Sequence, residues 1–256
     1  MNGTTSTSQI RPISSCRCGA YEPNPIEVLM HQMLHNGSEY SILMAKRTFR
    51  RGQHLYRPGA NGKHVYSINR GTFKTYRIGD DGRERILGFH SEGMLLGLDS
   101  LAGRQTHCGA IALDTTVICQ IPITAIMAAA DKSKQLRQRL FEQFDDEIDR
   151  LGTRLSLRTL PAPQRFAHFI LSIAGNSASV TMPMTNKEIS NYLNLVPETV
   201  SRLLAKFQQR DWLTIEGREI QILDRAALLT QSAVADAPSE HPKFVGSVVC
   251  ECSPGP

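Results

Sequence analysis

Near residue 123 the chain changes its periodicity, and that change limits the folds open to it. From about Phe49 to Ile123 it reads as short strand-forming runs separated by Gly-containing turns. Val65 to Ile68, Phe73 to Ile78, Ile86 to Phe89 and Thr116 to Ile121 are the runs. Pro58-Gly59-Ala60-Asn61-Gly62, Asn69-Arg70-Gly71 and Asp80-Asp81-Gly82 are the turns. No long helix separates these runs, so a doubly wound nucleotide fold is excluded. An antiparallel sandwich or barrel is expected.

After Ile123 the pattern is helical to about Arg158. Leu136, Leu140, Phe144, Ile148, Leu151 and Leu155 repeat every three or four residues, which places them on one helix face. Charged residues fill the intervening positions, and such a stripe can pair with a second copy of itself. Pro161 and Pro163 end the segment. Beyond them the chain reads as three helices and a hairpin. Thr185 and Glu188 form a capping box before Ile189. Pro197 opens the last of the three helices. Leu213 to Ile215 and Ile220 to Leu223 flank the turn Glu216-Gly217.

The expected class is therefore α+β. A flexible leader covers 1–25, a β-roll with flanking helices 26–130, a dimerisation helix 131–160, a winged helix-turn-helix 161–230 and a disordered tail 231–256. A short helix from Ile26 to Met33 should open the roll domain. The 256 residues suffice for these cores. No run of 18 apolar residues occurs and the first 15 residues have no apolar centre, so a cytoplasmic protein without a membrane span is expected.

Two helices joined tightly, the second with a polar outer face, followed by a hairpin, imply double-stranded DNA as partner. The formal net charge of +5 favours an anionic partner without naming one. Glu198 could accept from cytosine, Arg202 could donate to guanine, Ser201 could reach a base or a phosphate, and Lys206 could hold the backbone. Thr185 belongs to the same candidate set. No phosphate-binding loop, dinucleotide fingerprint, zinc-hydrolase motif or nucleophile–base constellation is present, so no enzymatic activity is expected.

Glu198-Thr199-Val200-Ser201-Arg202-Leu203-Leu204 matches the E-x-x-S-R recognition helix of the CRP/FNR superfamily of bacterial transcription regulators. Gly52, Tyr56, Gly59, Gly71, Gly88-Phe89, Gly97 and the segment Val117 to Pro122 fit the same family over about Phe49 to Leu229. The chain resembles its fumarate–nitrate reduction branch most. That resemblance implies a cyclic-nucleotide-binding-like antiparallel β jelly roll, a long dimerisation helix and a C-terminal winged helix-turn-helix. It also implies a homodimer reading a TTGAT-like inverted repeat through Glu198, Ser201 and Arg202. The turn carrying Asp81 and Arg83 would correspond to an RNA polymerase contact, although a plain hairpin turn explains it equally. Val196-Pro197 departs from the family's Thr-Val, so the customary hydroxyl cap is missing.

The signal is less legible. The cassette that neutralises a cyclic nucleotide's phosphate carries Gly-Glu-Leu and a following arginine. Here Gly93-Met94-Leu95-Leu96-Gly97-Leu98-Asp99 lacks the acidic residue, and Arg104 is the nearest arginine, so cAMP is not expected. A [4Fe–4S] cluster, as in the related oxygen sensors, would draw on Cys16, Cys18 and Cys119 with an unassigned fourth ligand. Cys108, Cys250 and Cys252 have no family counterpart. A thiol switch, haem held by His54, His64, His90 or His107, and a regulator without a cofactor are the competing readings. A further rival is a small-molecule-binding module with a degenerate helix-turn-helix.

Overall fold

Alternation and turn chemistry set the first half of the molecule. The computed structural model describes residues 24–35, 45–102 and 105–232. The expected leader up to residue 23, nearly all of the expected tail, Arg104 and the cysteines Cys16, Cys18, Cys250 and Cys252 lie outside them. Helix α1 (Pro25–His35) precedes strands β1 (Ala45–Phe49), β2 (His54–Tyr56), β3 (His64–Arg70), β4 (Phe73–Ile78), β5 (Glu84–His90), β6 (Leu95–Leu96), β7 (Gly109–Ala112) and β8 (Thr116–Pro122). They form two antiparallel four-stranded sheets, ordered β1-β8-β3-β6 and β2-β7-β4-β5. The β3–β4 connection demands glycine. Gly71 sits at φ 87°, and a Cβ there would lie 2.5 Å from Asp114 Oδ1 and 2.9 Å from the Thr115 carbonyl.

Successive side chains of β8 serve two different cores. Ile118 faces the roll interior with Phe49, Tyr56, Ile68, Phe73 and Leu96. Cys119 and Ile121 face the opposite side with Val65 and Leu95, under Ile26 and Met30 of α1 and Ile126 of the next helix. That sheet is therefore covered on both faces.

The expected helical segment is divided. Helix α2 (Ile123–Lys132) stops at Ser133, whose extended backbone and side chain cap α3 (Lys134–Leu157) by accepting from the Leu136 amide at 3.1 Å. The six-residue stripe is divided as well, and here the sequence reading needs correction. Leu136 is fully buried in the core beneath α1 and α2, and Leu140 packs against that same core. The outward row is instead Phe141, Phe144, Ile148, Leu151 and Leu155, exposed by between 37% and 68%. Phe141 was absent from the expected stripe. With it included, the spacing is 3, 4, 3, 4, a heptad seam.

The remaining elements are α4 (Ala162–Ala174), β9 (Ser179–Thr181), α5 (Asn186–Leu193), α6 (Pro197–Gln209), β10 (Leu213–Glu216), β11 (Glu219–Ile222) and α7 (Arg225–Ser232). Strand β9 pairs with β11, and α7 is capped by Asp224, which accepts from the Ala227 amide at 2.8 Å. Neither element was expected from the sequence. The core of this unit joins Phe166, Phe169, Ile170, Ile189, Val200, Leu203, Phe207 and Leu213. Among the described residues, no helix is long and apolar enough to cross a membrane.

The two halves meet along β5, an edge strand whose outer backbone groups need partners. Asn191 of α5 supplies them in the manner of a neighbouring strand. Its Oδ1 accepts from the Ile86 amide and its Nδ2 donates to the Glu84 carbonyl, both at 2.7 Å. Arg154 of α3 donates to the carbonyls of Ile86 and Leu87 and lies 4.6 Å from the Tyr192 ring centroid. Phe89 stacks at an angle on Tyr192, with centroids 5.1 Å apart.

Candidate nucleic-acid interface

The geometry of the helix-turn-helix begins at the cap of α5. Thr185 accepts the Glu188 amide through its hydroxyl, and Glu188 accepts the Thr185 amide at 2.9 Å and its hydroxyl at 3.0 Å. Thr185 was a candidate DNA contact; in the protomer its hydroxyl closes the helix. The second oxygen of Glu188 lies 3.0 Å from Lys74, which also binds Glu84 at 2.7 Å. Burial pushes Glu188 up, but the Thr185 amide and the Lys74 ammonium outweigh it and hold the carboxyl below the usual range. Burial likewise opposes charge on Lys74, yet its two carboxylate partners hold it above the ordinary value.

Helix α5 ends at Asn194, in the left-handed region at φ 53°. Arg165 of α4 crosses beneath and donates to the carbonyls of Leu193 and Asn194 at 2.7 and 3.4 Å. This places a cation at the negative end of the helix and fixes the turn. Leu195 packs inward, and Val196 becomes the N-cap of α6 with no side-chain hydrogen bond.

Helix α6 buries Val200, Leu203 and Phe207, with Leu204 partly covered. Glu198, Ser201, Arg202 and Lys206 all lie on the exposed side, and the three charged ones make no ion pair among the described residues. Arg210 is differently placed, stacked 4.9 Å from the Trp212 ring. Ser201 is not free to turn. Its hydroxyl donates to the Pro197 carbonyl at 3.2 Å and accepts from Asn186 Nδ2 at 3.1 Å. Asn186 was missed by sequence reasoning, since nothing in its position after Thr185 marks it as reaching across to α6.

The candidate sensing residues lie apart from this surface. Cys119 is buried, and its thiol is pushed up to about 12, first by burial and then by the neighbouring Glu27 carboxylate. Glu27, itself buried, accepts from Asn69 Nδ2 at 3.0 and 3.1 Å. Cys108 is pushed up to about 11 by burial and by Asp99. Asp99 accepts from the His107 amide at 3.1 Å. His90 is held near 3 by burial, 3.0 Å from the Thr75 hydroxyl, and its Nδ1 has no partner. His54 meets the Tyr76 hydroxyl at 3.3 Å, and His64 lies against Tyr66. His107 is exposed. Among the described residues, no three His, Cys, Asp or Glu side chains converge as a metal-ligating group. Asp81 and Arg83 are exposed at the β4–β5 turn, where Asp81 accepts from the Arg83 amide at 3.1 Å and pairs with Arg85 at 3.3 Å.

Comparison with known proteins agrees with this architecture. Residues 164–230 match the Crp-like helix-turn-helix domain and residues 46–133 the cyclic nucleotide-binding domain. The fumarate and nitrate reduction regulatory protein of Vibrio cholerae is 33% identical over 204 residues, covering 76% of this chain and 81% of that protein. The transcriptional activator protein Anr of Pseudomonas protegens is 35% identical over 191 residues, covering 72% and 78%. FixK2 from Bradyrhizobium japonicum has a similar structure, with a TM-score of 0.71 at 26% identity over 76% of this chain and all of that one.

Proposed function

The chain belongs to the CRP/FNR superfamily of transcription regulators, which are DNA-binding proteins and not enzymes, and from that premise we propose a homodimer that reads an FNR-like TTGAT inverted repeat without needing an iron–sulfur cluster. The observation that carries the reading is the exposed outward row Glu198, Ser201, Arg202 and Lys206 on α6, whose three charged members make no ion pair among the described residues, in a helix whose other face is core. A recognition helix enters the major groove by its N-terminal end. There Arg202 offers two donors to guanine O6 and N7, and Glu198 an acceptor to cytosine N4. Lys206, two turns further along, faces the phosphates.

A second copy supplies the second half-site. Phe141, Phe144, Ile148, Leu151 and Leu155 form an apolar heptad row left 37–68% exposed by the described residues, and two such rows can bury each other. Two-fold symmetry then sets the half-sites one helical turn apart. Asp81 and Arg83 are exposed at the β4–β5 turn, which leaves them accessible to RNA polymerase.

The residues around the sensing candidates support the cofactor part of the proposal. Cluster ligation needs a thiolate. Cys119 is buried beside the Glu27 side chain, and burial first and the Glu27 charge second push its thiol up. Among the described residues no further ligating side chains converge on it, which supports a reading without a cluster. A cyclic nucleotide fares no better. Asp99, which accepts from the His107 amide, puts a carboxylate in the segment comparable to the phosphate cassette, where its charge would repel a phosphate. Both described thiols are largely shielded and pushed up, which disfavours a reactive switch at either.

The test is an anaerobic titration of the full chain with TTGAT-repeat and scrambled duplexes at one salt concentration, repeated in air, with iron measured on the same sample. Iron-poor protein that prefers the repeat equally in both conditions is the expected result. Iron-loaded protein whose preference vanishes in air would overturn the cluster-independent reading. No preference for the repeat would overturn the DNA reading.

A further inference from the structure

Val196 is 57% exposed at the tip of α6, and neither packing nor helix capping accounts for a branched apolar side chain there. Its neighbours Leu195 and Val200 face the core, so Val196 is left outside by the course of the turn. Its carbonyl begins the helix, accepting from the Thr199 and Val200 amides at 3.0 and 3.3 Å, but its side chain accepts nothing. Pro197 then occupies the first helical position, where its missing amide costs the helix no hydrogen bond. The leading edge of α6 is thus an exposed, apolar Val-Pro pair. The polar row starts immediately behind it, with Ser201 held in place by Asn186.

We propose that Val196 is a specificity-determining residue that reads the 5-methyl group of a thymine beside the G·C pair contacted by Glu198 and Arg202. The inference rests on the DNA reading above. Every other edge in the major groove presents donors and acceptors; thymine alone presents an apolar group. A recognition helix enters by its N-terminal residues, so the N-cap side chain is among the first to meet the base edges. An isopropyl group makes no hydrogen bond to a phosphate, and in water it contributes nothing. Against a thymine methyl it removes apolar surface from water on both sides.

Replacing single thymines of the TTGAT repeat by 2′-deoxyuridine deletes the methyl and keeps every hydrogen-bonding group. At one thymine position, substituted in both half-sites, the wild-type chain should bind more weakly. The loss should be about fourfold per methyl, the transfer value of one buried carbon. Val196→Ala should bind the thymine and deoxyuridine duplexes alike, and Val196→Thr, which keeps one methyl, should retain part of the difference. Because Val196 is exposed, Val196→Ala should melt as the wild type does, and Val196→Thr, which supplies a hydroxyl cap, should melt no lower. Equal wild-type affinity for every deoxyuridine duplex would overturn the proposal, as would an unchanged thymine-to-deoxyuridine ratio in Val196→Ala. Loss of preference for the repeat over scrambled DNA in the wild type would overturn the DNA reading, and this inference with it.

Discussion

Replacing Ile148 by alanine should split dimerisation from folding. Ile148 is 66% exposed in the protomer and sits at the middle of the heptad row on α3. The substitution removes three carbons, each worth about 0.8 kcal/mol when buried. Scaled by the exposed fraction, the loss is about 1.6 kcal/mol per protomer, or about 3 kcal/mol per dimer. That corresponds to a dimer roughly two hundredfold weaker. Sedimentation equilibrium over a range of protein concentrations measures the shift directly. The protomer's own stability should hold, because the side chain packs on little within it, so the melting temperature should fall only where the dimer dissociates. Leu136→Ala is the counterpart. Leu136 is fully buried, and its truncation should cost about 2–5 kcal/mol of folding stability at every concentration. An Ile148→Ala protein that dimerises as the wild type does would refute the seam. So would a Leu136→Ala variant that changes only the association.

Arg202→Ala should abolish the preference for guanine in each half-site, a loss of about 1–3 kcal/mol on the repeat with little change on scrambled DNA. Equal loss on both duplexes in a matched-salt titration would make Arg202 a phosphate contact. The Lys74–Glu188 tie between the two halves predicts a pH window. Glu188 is held low, so its contribution is present above about pH 4.3 and is lost as pH falls through its folded value. Lys74 is held high, so its contribution persists below about pH 10.4 and is lost as pH rises beyond its folded value. Urea unfolding of Glu188→Gln should show about 1.5–3 kcal/mol less stability at pH 7 and a shallower acid limb, and an unchanged limb would rule out the tie. Cys119, with its thiol near 12, should be alkylated at pH 8 over a thousandfold more slowly than an ordinary cysteine, on the order expected from thiolate fraction alone. Glu27→Gln should speed that labelling, read by mass spectrometry at each cysteine. Labelling of native Cys119 as fast as in urea would contradict its burial.

Asn191 shows why part of the architecture was not legible beforehand. As a residue it is an ordinary polar position on a short helix. Its role appears only when β5 is an edge strand and α5 lies within 3 Å of it. Arg165 is similar, since its hold on the Leu193 and Asn194 carbonyls spans 28 and 29 residues of chain. By contrast, Thr185 and Glu188 are three residues apart, and their reciprocal capping follows from local geometry. Strand β9 escaped notice because three residues carry no readable period, and its pairing partner β11 lies 40 residues away.

The sequence by itself determined what depends on near neighbours: the change of period at Ile123, the glycine turns of the roll, the cap of α5 and the polar face of α6. The resemblance carried by Glu198, Ser201 and Arg202 belongs to the same category, because one helical turn holds them together. Tertiary structure alone decided which turns of each amphipathic face were covered. On α3 the repeat places Leu136, Phe144 and Leu155 on one side, but α1 and α2 lie only over its first turns. Leu136 is therefore core and Leu155 is surface. Periodicity gives the direction in which a side chain points; burial depends on whether a distant segment arrives to meet it.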